Sequence, residues 1–293
     1  EGQSRGQSGE ENQLSFETMP YSGLSKTYNT DSQTPDSAGT MTAMMTGIKT
    51  RKGMLSIDQT SNRSNCEQSR NAGLATGFEL AEIAGMSTGI VSTTSLTHAT
   101  PAATYAHTPE RTWENDSDLP KTAVSAGCRD IARQFVDFNF GDGIEVALGG
   151  GRLHFTPADT IDPEYQESLG ARQDKRDLIG EWKNKYPDGQ YVWNKNQMDA
   201  VDPKKTRHLF GLFEPEHMNY AADRKNDGAG EPSLTEMTAK AISVLQNNKN
   251  GFFLVVEGGR IDQAHHAGNA FRALTETVEF SDAVRMAMQM TSE

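Results

Sequence analysis

Apolar residues follow two patterns that take turns along the chain. Five segments have the spacing of an amphipathic helix: 40–48, 75–85, 121–138, 234–248 and 273–290. Three short apolar runs predict buried strands: 89–95, 144–151 and 251–259. Strands that alternate with helices in this way favour an α/β fold with a largely parallel central sheet and helices on both faces.

The pattern weakens between 152 and 232, where Asp, Lys, Pro and aromatic residues are frequent. We interpret 152–232 as a large insertion packed at the edge of the sheet and not as a separate domain. The sequence therefore predicts a single domain over 1–293.

The net charge of −12 argues against a nucleic-acid partner, because phosphate backbones attract basic surfaces. An acidic protein can still bind a small anion where the site is locally positive, and bound metal ions are one way to achieve that. No apolar run approaches the roughly 20 residues that span a bilayer, so no transmembrane segment is predicted, and no signal or anchor sequence is recognised. The only cysteines, Cys66 and Cys128, are either unrelated buried thiols or one disulfide.

Polar side chains that could perform chemistry follow the predicted strands. Ligands of open parallel sheets bind at the carboxyl ends of the strands. There, Glu257 is followed by Asp262 and His266, whose spacing places both on one helical face. Such a pair can fill two positions of a zinc site, whereas the hard oxygen of Glu257 suits magnesium. A polar turn without a metal explains the spacing equally well.

Two further residues are candidates for contact with an anion. Ser37 precedes a helix of small residues, where unpaired N–H groups could stabilise its alkoxide, although a plain helix cap is the commoner role of such a serine. Arg111 follows a loop rich in Pro and Ala, and its guanidinium could bind two phosphoryl oxygens. Taken alone, Arg111 is more simply a surface arginine.

Three segments together resemble the alkaline phosphatase family, in order and at similar spacing. They are TPDSAGTMTAMMTGIKT, STTSLTHATPAATYAHTPER and GFFLVVEGGRIDQAHHAGNAFRALTETVEFSDA. The animal-type branch (tissue-nonspecific, intestinal and placental-like) is the most similar, through SGLSKTYNTDSQTPDS, ALGGGR, QYVWN, HLFGLFEPEHM and SLTEMTAKAI. The resemblance implies hydrolysis of small phosphate monoesters at alkaline pH by a homodimer, with a phosphoserine intermediate and a site for two Zn²⁺ and one Mg²⁺.

The resemblance also assigns roles to single residues. It implies that Ser37 is the nucleophile and that Arg111 binds the non-bridging oxygens. It assigns the metal ligands in pairs: Asp262 and His266 for zinc, Thr100 and Glu257 for magnesium. Asp36, His98 and Gln263 are expected beside the reacting groups; His98 stands where relatives carry Asp or His, and Gln263 where they often carry His or Lys.

A structural Ca²⁺ is typical of the animal-type branch, and the resemblance places its ligands within 152–232. They are Glu181, the carbonyl of Phe213, Glu214 and Glu231. Cys66 and Cys128 fall where that branch has a disulfide. A disulfide implies an extracytoplasmic protein, whether secreted, periplasmic or at the cell surface.

The family's opening strand, with an Asp that bridges zinc and magnesium, does not precede Ser37 here. Its later Asp-His zinc pair and a further zinc histidine are not found either. The resemblance therefore predicts that this chain is part of a longer protein and is weak or inactive alone. Alternatives are a metal-deficient fragment or another hydrolase of the superfamily. A sulfatase would need a C/S-x-P-x-R motif that Ser37 lacks, and a phosphodiesterase would place Thr at the nucleophile and lack the Arg111 loop.

Overall fold

One parallel sheet organises the molecule. The computed structural model describes residue 6 and residues 8–291. The strands are β1 (Ser87–Ser95), β2 (Val146–Gly150), β3 (Gln190–Val192), β4 (Leu209–Leu212) and β5 (Phe252–Glu257). They lie in the order β3-β4-β2-β1-β5, and every neighbouring pair is parallel. The predicted parallel α/β sheet is confirmed.

Helices connect and cover the strands. They are α1 (Ser37–Thr46), α2 (Cys66–Ser69), α3 (Gly77–Ile83), α4 (Ala99–Ala102), α5 (Lys121–Ser125), α6 (Ile131–Asp137), α7 (Leu178–Lys185), α8 (Lys195–Ala200), α9 (Leu234–Leu245), α10 (Arg260–His266) and α11 (Ala270–Met290). Short 3₁₀ turns lie at Gly9–Glu11, Ser15–Thr18, Asp116–Asp118, Arg152–Phe155 and Arg224–Asn226.

The sheet has a buried apolar core on each face, as its alternating side chains require. Ile90 of β1 points into a core that α1, α3, α6 and α7 cover. The next residue, Val91, points into a second core, which α9 and α11 cover. Helices on both faces explain why β1 is buried along its whole length.

The segment 121–138, which the pattern predicted as one helix, forms two. After α5 the chain reaches Gly127 with φ +84°, a left-handed conformation that ends a helix. A new helix, α6, then begins because the Asp130 carboxylate accepts a hydrogen bond from the backbone N–H of Arg133 (2.8 Å).

The region 152–232 contributes β3 and β4 to the central sheet. β4 pairs with β2, and β3 forms the sheet edge beyond it. The region therefore adds two strands to one edge of the sheet.

Cys66 at the start of α2 and Cys128 between α5 and α6 form a disulfide. Their sulfurs are 2.12 Å apart and their Cα atoms 5.8 Å apart. The pairing that the resemblance implied is confirmed. Among the helices of the described residues, none combines the length and the apolar character that crossing a membrane requires.

Candidate active site

A cleft of about 790 Å³ opens at the carboxyl end of β5 and the amino end of α1. This is the sheet edge where the sequence predicted the chemistry. Eight of the predicted side chains line it: Asp36, Ser37, His98, Arg111, Glu257, Asp262, Gln263 and His266. Lys52 lines the same cleft and was not foreseen from the sequence.

Ser37 is the first helical residue of α1, and Asp36 before it is the helix cap. The carboxylate of Asp36 accepts a hydrogen bond from the backbone N–H of Gly39 (3.1 Å). The hydroxyl of Ser37 is therefore free of capping, and it has no hydrogen-bond partner among the side chains that the structure describes. Gly39 allows the Asn29 side chain to pack directly against the first turn of α1, because a Cβ atom at Gly39 would collide with the Asn29 amide. The result is an accessible hydroxyl at the positive end of a helix.

Asp36 also orients Arg111. One of its oxygens accepts from Asn29 Nδ2 (2.8 Å), and the other accepts from Gly53 N (3.0 Å) and Arg111 Nη1 (3.1 Å). Burial alone would raise the pKa of Asp36, but these hydrogen bonds and that from Gly39 lower it below its usual value. An ionised Asp36 therefore holds the guanidinium of Arg111 at the cleft.

His98 contacts the other side of that guanidinium. Arg111 Nη2 donates to His98 Nε2 (3.0 Å), so the imidazole acts as an acceptor. Burial, followed by the charges of Arg111 and His217, lowers the pKa of His98 to about 3. His98 is thus neutral, and its buried Nδ1 has no partner within the part of the chain that the structure describes. His217, which the sequence did not indicate, packs edge-on against His98 with ring centroids 5.4 Å apart.

Glu257, the last residue of β5, is surrounded by hydroxyl groups. Its Oε2 accepts from Ser92 Oγ (2.6 Å) and Thr94 Oγ1 (3.3 Å). Burial raises the pKa of Glu257, and hydrogen bonds from Ser92, Thr100 and Thr94 oppose that rise. The structure therefore brings Thr100 and Glu257 together, as the magnesium prediction requires.

Asp262 and His266 lie on one face of α10. Asp262 Oδ2 and His266 Nε2 are 3.4 Å apart, and the side chains are 76% and 80% exposed. Both are thus open to the cleft at a separation that one metal ion can bridge. Gln263 beside them accepts a hydrogen bond from Arg260 Nη1.

A second group of carboxylates lies away from this cleft. Oxygen atoms of Glu164, Glu214 and Asp227 lie within 4.8 Å of one another. Burial and the charges of Glu231, Glu164 and Asp227 raise the pKa of Glu214 to about 8. Burial likewise raises the pKa of Glu231 to about 7. Asn219 joins the two glutamates, donating from Nδ2 to Glu214 (2.8 Å) and from its backbone N to Glu231 (3.0 Å).

Of the four predicted calcium ligands, the structure brings Glu214 and Glu231 together and takes Glu181 elsewhere. Glu181 forms a bidentate ion pair with Arg176, with N···O distances of 2.8 and 2.5 Å. This pairing lowers the pKa of Glu181. Phe213 is buried at the end of β4, and its N–H donates to Gly149 O (2.8 Å). Glu164 and Asp227 therefore lie beside Glu214, whereas Glu181 does not.

Glu164 and Asp227 were missed because neither is near Glu214 in sequence. The one local signal is the turn around Pro163: the carboxylate of Asp162 accepts hydrogen bonds from the backbone N–H groups of Glu164 (2.9 Å) and Tyr165 (3.2 Å). That turn sets the local backbone conformation of Glu164, but its proximity to Glu214 depends on the tertiary fold.

The fold and the cleft define a class: an α/β protein whose strand ends carry an accessible serine, an oriented arginine and acidic and imidazole side chains suited to an anion and to metals. The alkaline phosphatase family profile matches residues 1–293. Alkaline phosphatase of Gadus morhua is 44% identical over 99% of this chain, and the tissue-nonspecific isozyme of Homo sapiens is 42% identical over 97%. This chain belongs to the alkaline phosphatase family. It spans 61% of the length of the first of these relatives and 55% of the second.

Solved structures agree on the fold. The alkaline phosphatase of the Antarctic bacterium TAB5 superposes with a TM-score of 0.72 at 25% identity, covering 96% of this chain and 68% of its own. That of Thermus thermophilus superposes with a TM-score of 0.69 at 29% identity, covering 89% of this chain and 46% of its own.

Proposed function

We propose that this protein hydrolyses phosphate monoesters at alkaline pH through a phosphoserine intermediate at Ser37. The observation that carries the proposal is the uncapped Ser37 hydroxyl at the start of α1, in the same cleft as Arg111. Asp36 supports both residues. It caps the helix that begins at Ser37, and it binds the guanidinium of Arg111. A serine that was only a helix cap would not leave this role to its neighbour.

In this proposal Ser37 Oγ attacks phosphorus, the P–O bond to the alcohol breaks, and the phosphoseryl enzyme is then hydrolysed by water. Arg111 offers two N–H donors to the non-bridging oxygens, and the amino end of α1 adds the unpaired N–H groups of its first turn. Asp36 keeps the guanidinium in place. Neutral His98 accepts from Arg111 and so adds no charge of its own.

The donor atoms at the cleft fit the metals that the family implies. Asp262 and His266, an oxygen and a nitrogen 3.4 Å apart, would hold zinc. Glu257 and Thr100 offer only hard oxygens and would hold magnesium. Bound zinc and magnesium supply Lewis-acid stabilisation of negatively charged oxygens. We place a structural Ca²⁺ at Glu164, Glu214, Asp227 and Glu231, because Glu181 is already paired with Arg176.

We also propose a homodimer outside the cytoplasm. The disulfide between Cys66 and Cys128 supports an oxidising compartment. The homodimer rests on the family alone.

The proposal is tested by replacing Ser37 in the full-length protein. Turnover of p-nitrophenyl phosphate in zinc and magnesium should fall by several orders of magnitude in Ser37→Ala. Ser32→Ala is a matched control, because its hydroxyl bonds only the nearby Thr34 carbonyl (2.7 Å). Equal activity of the two variants would refute the nucleophile. A sulfate ester and a phosphodiester assayed in parallel distinguish a sulfatase and a phosphodiesterase from a monoesterase.

A further inference from the structure

Three carboxylates lie close together at the amino ends of β1 and β2, on the opposite side of the sheet's strand ends from the cleft. Glu82 is in the last turn of α3, Asp142 is in the turn before β2, and Glu145 immediately precedes β2. One oxygen atom from each lies within 4.8 Å of the other two. Because β1 and β2 are parallel, this group at their amino ends is remote from Ser37 at the carboxyl-end edge.

Two of these carboxylates are buried and held in place by one residue. Glu82 is 2% exposed and Glu145 is 4% exposed. Thr88 donates from its hydroxyl to Glu82 Oε1 (2.6 Å) and from its backbone N–H to Glu145 Oε2 (2.7 Å). Burial raises the pKa of Glu82, and it raises that of Glu145 to about 7. Two acidic groups buried side by side require a proton or a cation between them.

The second oxygen of Glu82 has no such partner. Oε2 is buried and has no donor of the described residues in hydrogen-bonding geometry, although the nearby Glu145 side chain and Gly143 backbone N–H act to lower the pKa of Glu82. It faces the turn that carries Asp142, since a Cβ atom on Gly141 would collide with it. An unpaired buried acceptor that faces a second and a third carboxylate is suited to binding a cation.

We propose that Glu82, Asp142 and Glu145 bind a hard divalent cation of the Ca²⁺ and Mg²⁺ class. The donor atoms at this cluster are all carboxylate oxygens, which such ions prefer and which soft metals do not. The cation compensates the buried charge of Glu82 and Glu145. It also joins α3 to the turn before β2, and so stabilises the amino-end edge of the sheet.

Arg207 provides the competing explanation. Its guanidinium forms an ion pair with Asp142, and the Arg207 side chain is 70% exposed. The cation must displace this arginine, whose exposed guanidinium can return to water. If Arg207 is instead the permanent partner of the cluster, its removal creates no tighter site. The two explanations therefore predict opposite effects of Arg207→Gln on cation affinity.

The test is a calorimetric titration with Ca²⁺ of chelator-treated chain, with the disulfide intact. Glu214→Gln is present in every sample, because it disables the other acidic cluster. Asp142→Asn and Glu82→Gln should each weaken one Ca²⁺-binding event by about tenfold or more, and Arg207→Gln should strengthen it. Asp188→Asn, which changes an exposed carboxylate in the turn before β3, should leave it unchanged.

Circular dichroism checks that each variant is folded. Asp142→Asn decides the question even where Glu82→Gln fails to fold, because Asp142 is on an exposed turn. Ca²⁺ binding that is identical in the parent and Asp142→Asn would overturn the proposal. So would an Arg207→Gln variant that binds Ca²⁺ no more tightly than the parent.

Discussion

Removing the Asp36 side chain should both destabilise the chain and weaken its hold on phosphate. Asp36 accepts four hydrogen bonds, from Gly39 N, Asn29 Nδ2, Gly53 N and Arg111 Nη1. Loss of the helix cap costs about 1 kcal/mol. Leaving the remaining donors without their charged acceptor costs about 2 kcal/mol more. We therefore expect Asp36→Ala to lower the free energy of unfolding by about 3 kcal/mol.

Phosphate binding should respond separately, through Arg111. Without Asp36 the guanidinium keeps only its bond to His98, so its orientation is no longer fixed. We expect phosphate affinity to fall roughly tenfold, which is about 1.4 kcal/mol. Asp36→Asn keeps an acceptor for the cap but loses the charge that holds Arg111. It should therefore lose affinity almost as fully as Asp36→Ala while losing less stability.

Urea unfolding and calorimetric titration with inorganic phosphate measure the two effects. Asp31→Ala is the control, since Asp31 is an exposed carboxylate of the same loop and accepts one hydrogen bond, from Lys52 N (2.8 Å). If Asp36→Ala and Asp31→Ala have the same unfolding midpoint and the same phosphate affinity, Asp36 does not organise the site and the reasoning fails.

Three more predictions follow from the structure. Reduction of the Cys66–Cys128 bridge, which spans 62 residues, should lower the free energy of unfolding by about 4 kcal/mol in the chain-entropy model; an unchanged urea midpoint after reduction would contradict it. Glu79 raises the pKa of His107 against the effect of burial, so the stability due to this pair is complete below about pH 6.5 and is lost as pH rises through the higher folded value. His107→Gln should remove that loss from the pH dependence of unfolding, and an unaltered profile would count against the pair. In the Asp142→Asn background, which disables the other proposed Ca²⁺ site, Glu164→Gln should abolish the rise in Tm on adding Ca²⁺ whereas Glu181→Gln should preserve it; the reverse result would restore Glu181 as the ligand.

The sheet and its covering helices were accessible from the sequence because burial imposes a pattern on it. The apolar run at 89–95 became β1, and that at 251–259 became β5 with slightly shorter bounds. The break inside 121–138 was not predicted, because the spacing of the apolar residues there is helical throughout. The helix is interrupted by the left-handed conformation of Gly127 and by the disulfide that joins Cys128 to the distant Cys66. Local pattern alone does not report such a constraint.

The candidate site was only partly accessible. Asp262 and His266 are four residues apart, so helical geometry alone predicted their meeting. The ion pair between Asp36 and Arg111 joins residues 75 positions apart in the sequence and therefore depends on the fold. The same holds for Glu164, which reaches Glu214 across 50 residues where the sequence pattern is weak. Resemblance located the acidic cluster, but only the structure shows that Glu164 lies in it and that Glu181 pairs with Arg176 instead.

The most direct test of the central claim is to trap the phosphoryl intermediate. The full-length protein is incubated with a ³²P-labelled phosphate monoester in zinc and magnesium, quenched in acid, and digested for mass spectrometry. We predict one labelled peptide, from the start of α1, with the phosphate on Ser37 and no label in Ser37→Ala. Label on any other serine, or turnover with no labelled Ser37 peptide, would contradict the assignment.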